Sequence, residues 1–208
     1  LCDDGRFMLL GTQTDGTYRM HIDGQDVGQS SLISTFSQWT VCSERSVVRI
    51  PKDIPFTSAC LLGCGVPTGW GSSVKAGGVK PNDVVIVMGI GGIGINAVQG
   101  AAAAGAKRVI AIDPVEFKRE KAMEFGATHT FASMEEAFPA VTELTWGQMA
   151  DKVIMTPGVM YGHMMQLGTA LAGKGGTIVV TAVAPITQTE SSVNLFEIAM
   201  YNKEIKGT

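Results

Sequence analysis

The chain has 208 residues, 45% of them apolar and 17% charged, with a formal net charge of −3. That composition supports a sizeable core, in one large domain or one and a half ordinary ones. No Lys/Arg cluster stands out and no apolar run reaches the length of a membrane span, so neither nucleic acid nor a membrane is expected as a partner.

The chain opens Leu1-Cys2-Asp3-Asp4, with no initiator Met and no signal-peptide pattern, and is expected to be a fragment of something longer. Its four cysteines, Cys2, Cys42, Cys60 and Cys64, are irregularly spaced and contain no C-x-x-C pair. This argues against a disulfide framework and for a reducing, cytoplasmic setting.

Residues 1–57 are rich in Gly, Thr, Ser and Asp. Short β-like runs are expected at residues 18–22, 34–41 and 46–50, with Asp15-Gly16 as a turn between such runs. In the second run, alternation sets Phe36, Gln38 and Thr40 on one face and Thr35, Ser37, Trp39 and Val41 on the other. This stretch reads as the tail of an all-β module. Residues 58–208 form the second expected domain. Ser58 can cap a helix starting near Ala59. Pro67 and several glycines then break the pattern, so two short interrupted helices join the two parts.

The most informative stretch follows. Residues 84–88 are Val-Val-Ile-Val-Met, a run buried on both faces of a sheet if it is a strand. Gly89-Ile90-Gly91-Gly92-Ile93-Gly94 comes next, then an Ala-rich helix and a second strand ending at Asp113. Strand, glycine turn, helix, strand and acid make the dinucleotide-binding arrangement. Gly89 turns the chain off the strand, Gly91 leaves room for a pyrophosphate and Gly94 lets helix and strand approach. Gly92 and Ile93 carry N–H groups of the helix start toward the phosphates. Asp113 can accept from a ribose diol and would repel a 2′-phosphate, which favours NAD over NADP. The competing readings are a Gly-rich βα turn of another doubly wound protein and a methyltransferase; the full six-residue glycine spacing argues against the latter.

Alternation then continues. Helices are expected at residues 115–125, 134–144, 161–171 and 194–201, and strands at 128–131, 152–155 and 177–181, with a sixth starting near Glu204. Gly126 is a helix stop, and residues 173–176 are a turn. Met160, Met164, Leu167 and Leu171 form one stripe, read as core packing. The sum is an α/β, doubly wound, six-stranded parallel sheet of the Rossmann kind, preceded by the β-rich tail.

Cys64-Gly65-Val66-Pro67-Thr68-Gly69-Trp70-Gly71, about 25 residues ahead of the glycine turn, resembles the medium-chain zinc alcohol dehydrogenases. Gly16-Thr17, Ser34-Thr35-Phe36-Ser37-Gln38 and Leu1-Cys2 are similar to the same family. The match is closest to its long zinc-containing branch, and within that to the actinobacterial enzymes assayed with nitrosodimethylaniline. The resemblance implies a GroES-like catalytic domain for residues 1–57 and an NAD-binding domain for residues 58–208. It implies a hydride transfer between an alcohol or aldehyde and NAD, and assembly as a homodimer or homotetramer. It makes Cys64 a ligand of the catalytic zinc and Cys2 one of four cysteines on a structural zinc. Thr68, Thr181, Ala182 and Val183 would border the nicotinamide end; Asp113 and Lys118 would lie at the adenosine ribose. Apart from the resemblance, Gly158, after the fourth strand, falls near the cofactor rim. The remaining zinc ligands and the start of the proton relay would precede Leu1. His21, His129 and His163 fall at no ligand position and are expected to be structural or surface residues. Cys42 and Cys60 are expected to be small buried hydrophobes. The alternatives are a zinc-free quinone or enoyl reductase of the same superfamily, disfavoured by Asp113 and Cys64, and a dinucleotide-binding module without turnover.

Overall fold

The computed structural model describes residues 5–208; Cys2 lies outside them. The chain divides into two compact units, Leu1–Pro55 and Phe56–Thr208.

In the first unit, α1 (Arg6–Leu10) ends on Gly11 at φ 70°. Strands β1 (Met20–Ile22) and β2 (Gln25–Val27) pair antiparallel. Asp23 (φ 50°) and Gly24 (φ 77°) join them, the doubly positive turn that Asp-Gly suits. Asp15-Gly16 is also a turn, with the Gly16 N–H donating to the Gln13 carbonyl at 2.9 Å, yet it joins no strand pair among the described residues. A buried amide pair ties the loops together. Gln13 Nε2 donates to Gln29 Oε1 (2.7 Å) and to the Leu32 carbonyl (2.9 Å), and Gln29 Nε2 donates to the Val41 carbonyl (3.1 Å).

The strands expected at residues 34–41 and 46–50 do not form. A strand exists only where a second backbone takes its N–H and C=O groups. Here the Val41 carbonyl is taken by a glutamine side chain, and the Trp39 carbonyl by the Ser37 hydroxyl at 2.5 Å. Phe36 and Trp39 are left exposed. Glu44–Ser46 is instead a tight turn, its Arg45 N–H donating to Ser43 Oγ at 3.3 Å.

The second unit opens with α2 (Phe56–Ala59) and a 3₁₀ turn, Cys60–Gly63. Ser58 lies inside α2 rather than ahead of it. Cys64 (φ −148°, ψ −72°) breaks the helix, and α3 (Gly65–Gly71) then widens into a π turn, Ser72–Ala76. Cys60 is exposed and Cys42 half-buried, so neither is the buried hydrophobe expected.

The sheet comprises β3 (Val84–Met88), β4 (Arg108–Ile112), β5 (His129–Phe131), β6 (Ala150–Met155), β7 (Ala172–Val180) and β8 (Glu204–Gly207). All pairs are parallel and the order is β5-β4-β3-β6-β7-β8. The connecting helices are α4 (Gly92–Ala103), α5 (Glu116–Glu124), α6 (Met134–Leu144), α7 (Met164–Leu171) and α8 (Leu195–Met200). This is the doubly wound fold expected.

The apolar runs at residues 84–88, 109–112 and 153–155 follow from burial on both faces. Ile86, Ile110, Val153 and Ile178 line up in register and pack on one face with Ala137, Val141, Met165 and Leu171. Met160 and Leu171 are in that core and Met164 and Leu167 pack against it, as the stripe requires. Val85, Val87, Val109, Ala111, Ile154 and Val179 face the other way, onto Ala97, Val98 and Ala101 of α4 and Ala122 of α5. The small residues of α4 let that helix lie close to the sheet.

Residues 173–176 turn as expected, but inside β7. Ala150 pairs with Ala172 and Lys152 with Thr177, so four residues form a bulge. Gly175 there has φ 71°, and a Cβ at Gly173 would overlap the Gln148 carbonyl oxygen. Asn194 caps α8, its Oδ1 accepting from Phe196 and Glu197 N–H groups at 3.1 and 3.3 Å.

Candidate functional site

The strand order reverses between β3 and β6, and their carboxyl ends line up: Met88 is in register with Ile112 on one side and Met155 on the other, and Met155 with Val180. In an open parallel sheet that edge is where a ligand crevice opens. Two groups of residues gather at that edge.

The first is the glycine turn. Gly89 has φ 88°, in the left-handed region, and a Cβ there would lie 2.6 Å from the Thr156 carbonyl oxygen. A Cβ at Gly94 would overlap the Gly89 carbonyl oxygen, so α4 can start this close to β3 only without a side chain. Gly91 and Gly92 are different. A Cβ at either would meet nothing within 4 Å, and both are exposed. Two glycines are therefore demanded by packing, and two leave open space above the first turn of α4. Thr156 braces the turn from β6: its hydroxyl donates to the Met88 and Gly89 carbonyls, at 3.1 and 2.8 Å.

Asp113 reaches the same turn from the end of β4. It is 4% exposed. Its Oδ2 accepts the Ile90 N–H at 2.8 Å and its Oδ1 the Val115 N–H at 2.9 Å. Lys118 Nζ stands 3.5 Å from Oδ2. Arg119 locks the backbone behind the acid, donating to the Asp113 and Pro114 carbonyls at 2.8 and 2.9 Å. The carboxylate thus adjoins the open glycines, with lone pairs left for hydroxyl donors.

The second group comprises Cys64 and Thr68 at α3 and Thr181, Ala182 and Val183 just after β7. A Cβ at Gly69 would overlap the Ile93 carbonyl oxygen, so α3 lies directly on the start of α4. Ser72 Oγ donates to the Thr68 carbonyl (2.6 Å) and lies 2.9 Å from Thr181 Oγ1 at the end of β7. Thr181 and Ala182 N–H groups both donate to the Met155 carbonyl (3.0 and 3.1 Å), and the Met160 N–H donates to Val183 O (3.2 Å). Gly158 is exposed in the loop between Met155 and Met160, and Val183 is exposed as well. Cys64 Sγ is exposed and 4.0 Å from Thr68 Oγ1.

Ser72, Thr156 and Arg119 were not among the expected site residues. Only Thr156 leaves a sequence signal: it follows β6 where Gly89 follows β3. A cavity of about 850 Å³ lies elsewhere, at the amino ends of the strands, lined by Asn82, Arg108, Ala150, Asp151 and Lys203 among others. It is remote in the fold from the glycine turn and holds none of the expected residues.

The donor set suits a dinucleotide: open glycines at a helix start, amide N–H groups and a carboxylate beside them. It does not by itself suit zinc. Among the described residues no group of three or more His, Cys, Asp or Glu could hold a metal ion. His163 stacks on Tyr161 with ring centroids 6.0 Å apart, and His129 Nδ1 lies 2.9 Å from Thr128 Oγ1. Among the described residues no helix is long and apolar enough to cross a membrane.

A family model described as zinc-binding dehydrogenase matches residues 92–208, more than half of the chain. The chain belongs to the zinc-binding dehydrogenase family. It is 49% identical over 208 residues to the NDMA-dependent alcohol dehydrogenase of Amycolatopsis methanolica, covering 100% of this chain and 56% of that protein. It is 43% identical over 209 residues to alcohol dehydrogenase B of Mycobacterium tuberculosis (strain ATCC 25618 / H37Rv), with the same coverage. An alcohol dehydrogenase zinc-binding domain protein from Burkholderia ambifaria superposes with a TM-score of 0.89 at 26% identity, over 100% of this chain and 56% of that one. Benzyl alcohol dehydrogenase from Acinetobacter calcoaceticus gives 0.80 at 26% identity, over 91% of this chain and 52% of that one. The chain therefore spans about half the length of the zinc-binding dehydrogenases it matches, which bears out the expected fragment and the family resemblance.

Proposed function

We propose that this chain is the NAD-binding half of a zinc-dependent alcohol dehydrogenase, which moves a hydride between a small alcohol or aldehyde and NAD. The observation that carries the reading is the Asp113 carboxylate, bonded to the Ile90 N–H beside two glycines that face open space. Bound NAD would supply the hydride acceptor. The chain's own residues do the holding. The first-turn N–H groups of α4 face the pyrophosphate, Gly91 and Gly92 let it approach the backbone, and Asp113 accepts from the adenosine ribose with Lys118 alongside. Thr68, Gly158, Thr181, Ala182 and Val183 border the nicotinamide, fixing the ring and excluding water from one side.

Of this half's residues, Cys64 alone would hold the catalytic zinc. Its exposed thiolate would be one ligand, and the other donors would come from residues outside this chain, as would those joining Cys2 at a structural site. Residues 1–57 then belong to a β-rich catalytic domain of the GroES-like kind, and residues 58–208 form the dinucleotide domain. The test uses the full-length protein. Zinc content and NADH formation from a panel of alcohols are measured before and after Cys64→Ala. Loss of one zinc per chain together with turnover is the expected result; retained zinc with unchanged turnover contradicts the ligand role.

A further inference from the structure

Ser72 and Ser73 are consecutive, and both are completely buried. In a regular α-helix neighbouring residues point about 100° apart, so one of them would turn outward. The π turn, closed by the Gly77 N–H on the Ser72 carbonyl at 2.9 Å, turns both inward. Each hydroxyl then joins a different element. Ser73 Oγ donates to the Ala97 carbonyl of α4 at 2.7 Å. Ser72 Oγ donates to the Thr68 carbonyl at 2.6 Å and meets Thr181 Oγ1 at 2.9 Å, across 109 residues of sequence.

The proton count fixes the direction of this chain of bonds. The Thr68 carbonyl can only accept, so the Ser72 proton is spent on it. The Thr181 hydroxyl must then donate to Ser72. The order is Thr181 O–H to Ser72 O–H to the Thr68 carbonyl, between the end of β7 and the helix carrying Thr68 and Cys64. Ser72 N–H is meanwhile shared between the Gly69 and Thr68 carbonyls. A serine hydroxyl bonded back onto the preceding turn bends and loosens a helix, which accounts for the π turn beginning at this residue.

We propose that Ser72, through Thr181, is a positioning residue that sets the width of the nicotinamide end of the crevice. This inference rests on the dinucleotide reading above. No other bond in the structure joins a side chain of the α3 segment to the end of β7 among the described residues. The adenosine end is held separately by Asp113, Arg119 and Thr156. The two ends should therefore respond separately to substitution.

The experiment compares NADH with ADP-ribose, which lacks the nicotinamide, by fluorescence and calorimetric titration of the full-length protein. Ser72→Ala leaves the Thr181 hydroxyl without its acceptor, and Thr181→Val leaves Ser72 bonded to Thr68 but untied from β7; each breaks the link and should weaken NADH about five- to tenfold. ADP-ribose should bind within about twofold of the unsubstituted protein, and the far-UV circular dichroism of the cofactor-free variants should match it, showing that the fold is kept. The double variant removes both hydroxyls, leaves no orphan, and should lose less than the product of the single losses. Thr181→Ser keeps the bond without the methyl and should recover the affinity lost in Thr181→Val. Equal weakening of NADH and ADP-ribose, or no weakening of NADH, overturns the inference while leaving the cofactor reading intact. Failure of the unsubstituted protein to bind ADP-ribose overturns the cofactor reading itself, and this inference with it.

Discussion

Gly91 and Gly94 stand three residues apart in one turn, and alanine should act on them in opposite ways. Gly91 has φ −90° and ψ −163°, an extended conformation open to any residue, and a Cβ there meets nothing within 4 Å. Gly91→Ala should change stability by no more than about 0.5 kcal/mol. If the pyrophosphate lies over Gly91, the methyl group occupies its place. Crowding of one methyl into a packed contact costs about 1–3 kcal/mol, which is roughly 5- to 150-fold in affinity. Gly94→Ala puts its Cβ onto the Gly89 carbonyl oxygen and 3.0 Å from Thr156 Oγ1. The obstruction is backbone, so α4 must shift, and a loss of about 1–3 kcal/mol in stability should accompany any loss of binding. Chemical unfolding gives the first quantity and NAD calorimetry the second. Unchanged NAD affinity in a folded Gly91→Ala protein would refute the placement of the phosphates, because nothing else in the structure distinguishes that glycine from an ordinary loop position.

Two further outcomes concern the rest of the chain. Asp15 should titrate at about 2 rather than 3.8, held down first by the Thr17 hydroxyl and then by the Arg19 guanidinium. A depressed folded-state pKa gives stability that is present above about pH 4 and is lost as pH falls toward 2, so Thr17→Val should raise the Asp15 value measured by NMR and narrow that window. Lys203 is buried, with Nζ 2.6 Å from Glu197 Oε2 and 2.8 Å from the Thr169 carbonyl. Glu197→Ala leaves that ammonium one acceptor short, and since Glu197 is partly solvated the loss should be about 2 kcal/mol by chemical unfolding, below the range for fully buried pairs.

The sheet was legible because its strands announce themselves. Residues 84–88 and 109–112 are apolar without alternation, and burial on both faces leaves that mark whatever lies around them. The turn at Gly89 and the close approach at Gly94 were legible for the same local reason: each acts within its own turn. Residues 34–41 misled because alternation records the two faces of a strand but not whether a partner backbone is present. Asp23-Gly24, the dipeptide that closes the one hairpin among the described residues of the first unit, carries the same sequence signal as Asp15-Gly16, and only the flanking pairing separates them. Ser72 left no mark at all. Its bond to Thr181 spans 109 residues, and Ser-Ser in a Gly-rich stretch reads as loop until the π turn is seen.

The claim beneath the whole account is that Asp113 selects a diol over a phosphate at the edge of β4. Parallel calorimetric titrations of the full-length protein with NAD and NADP measure that choice directly. NAD should bind and NADP should be weaker by at least about tenfold, the effect of a carboxylate facing an added dianion at close range. Tighter binding of NADP, or heat from neither, would contradict it.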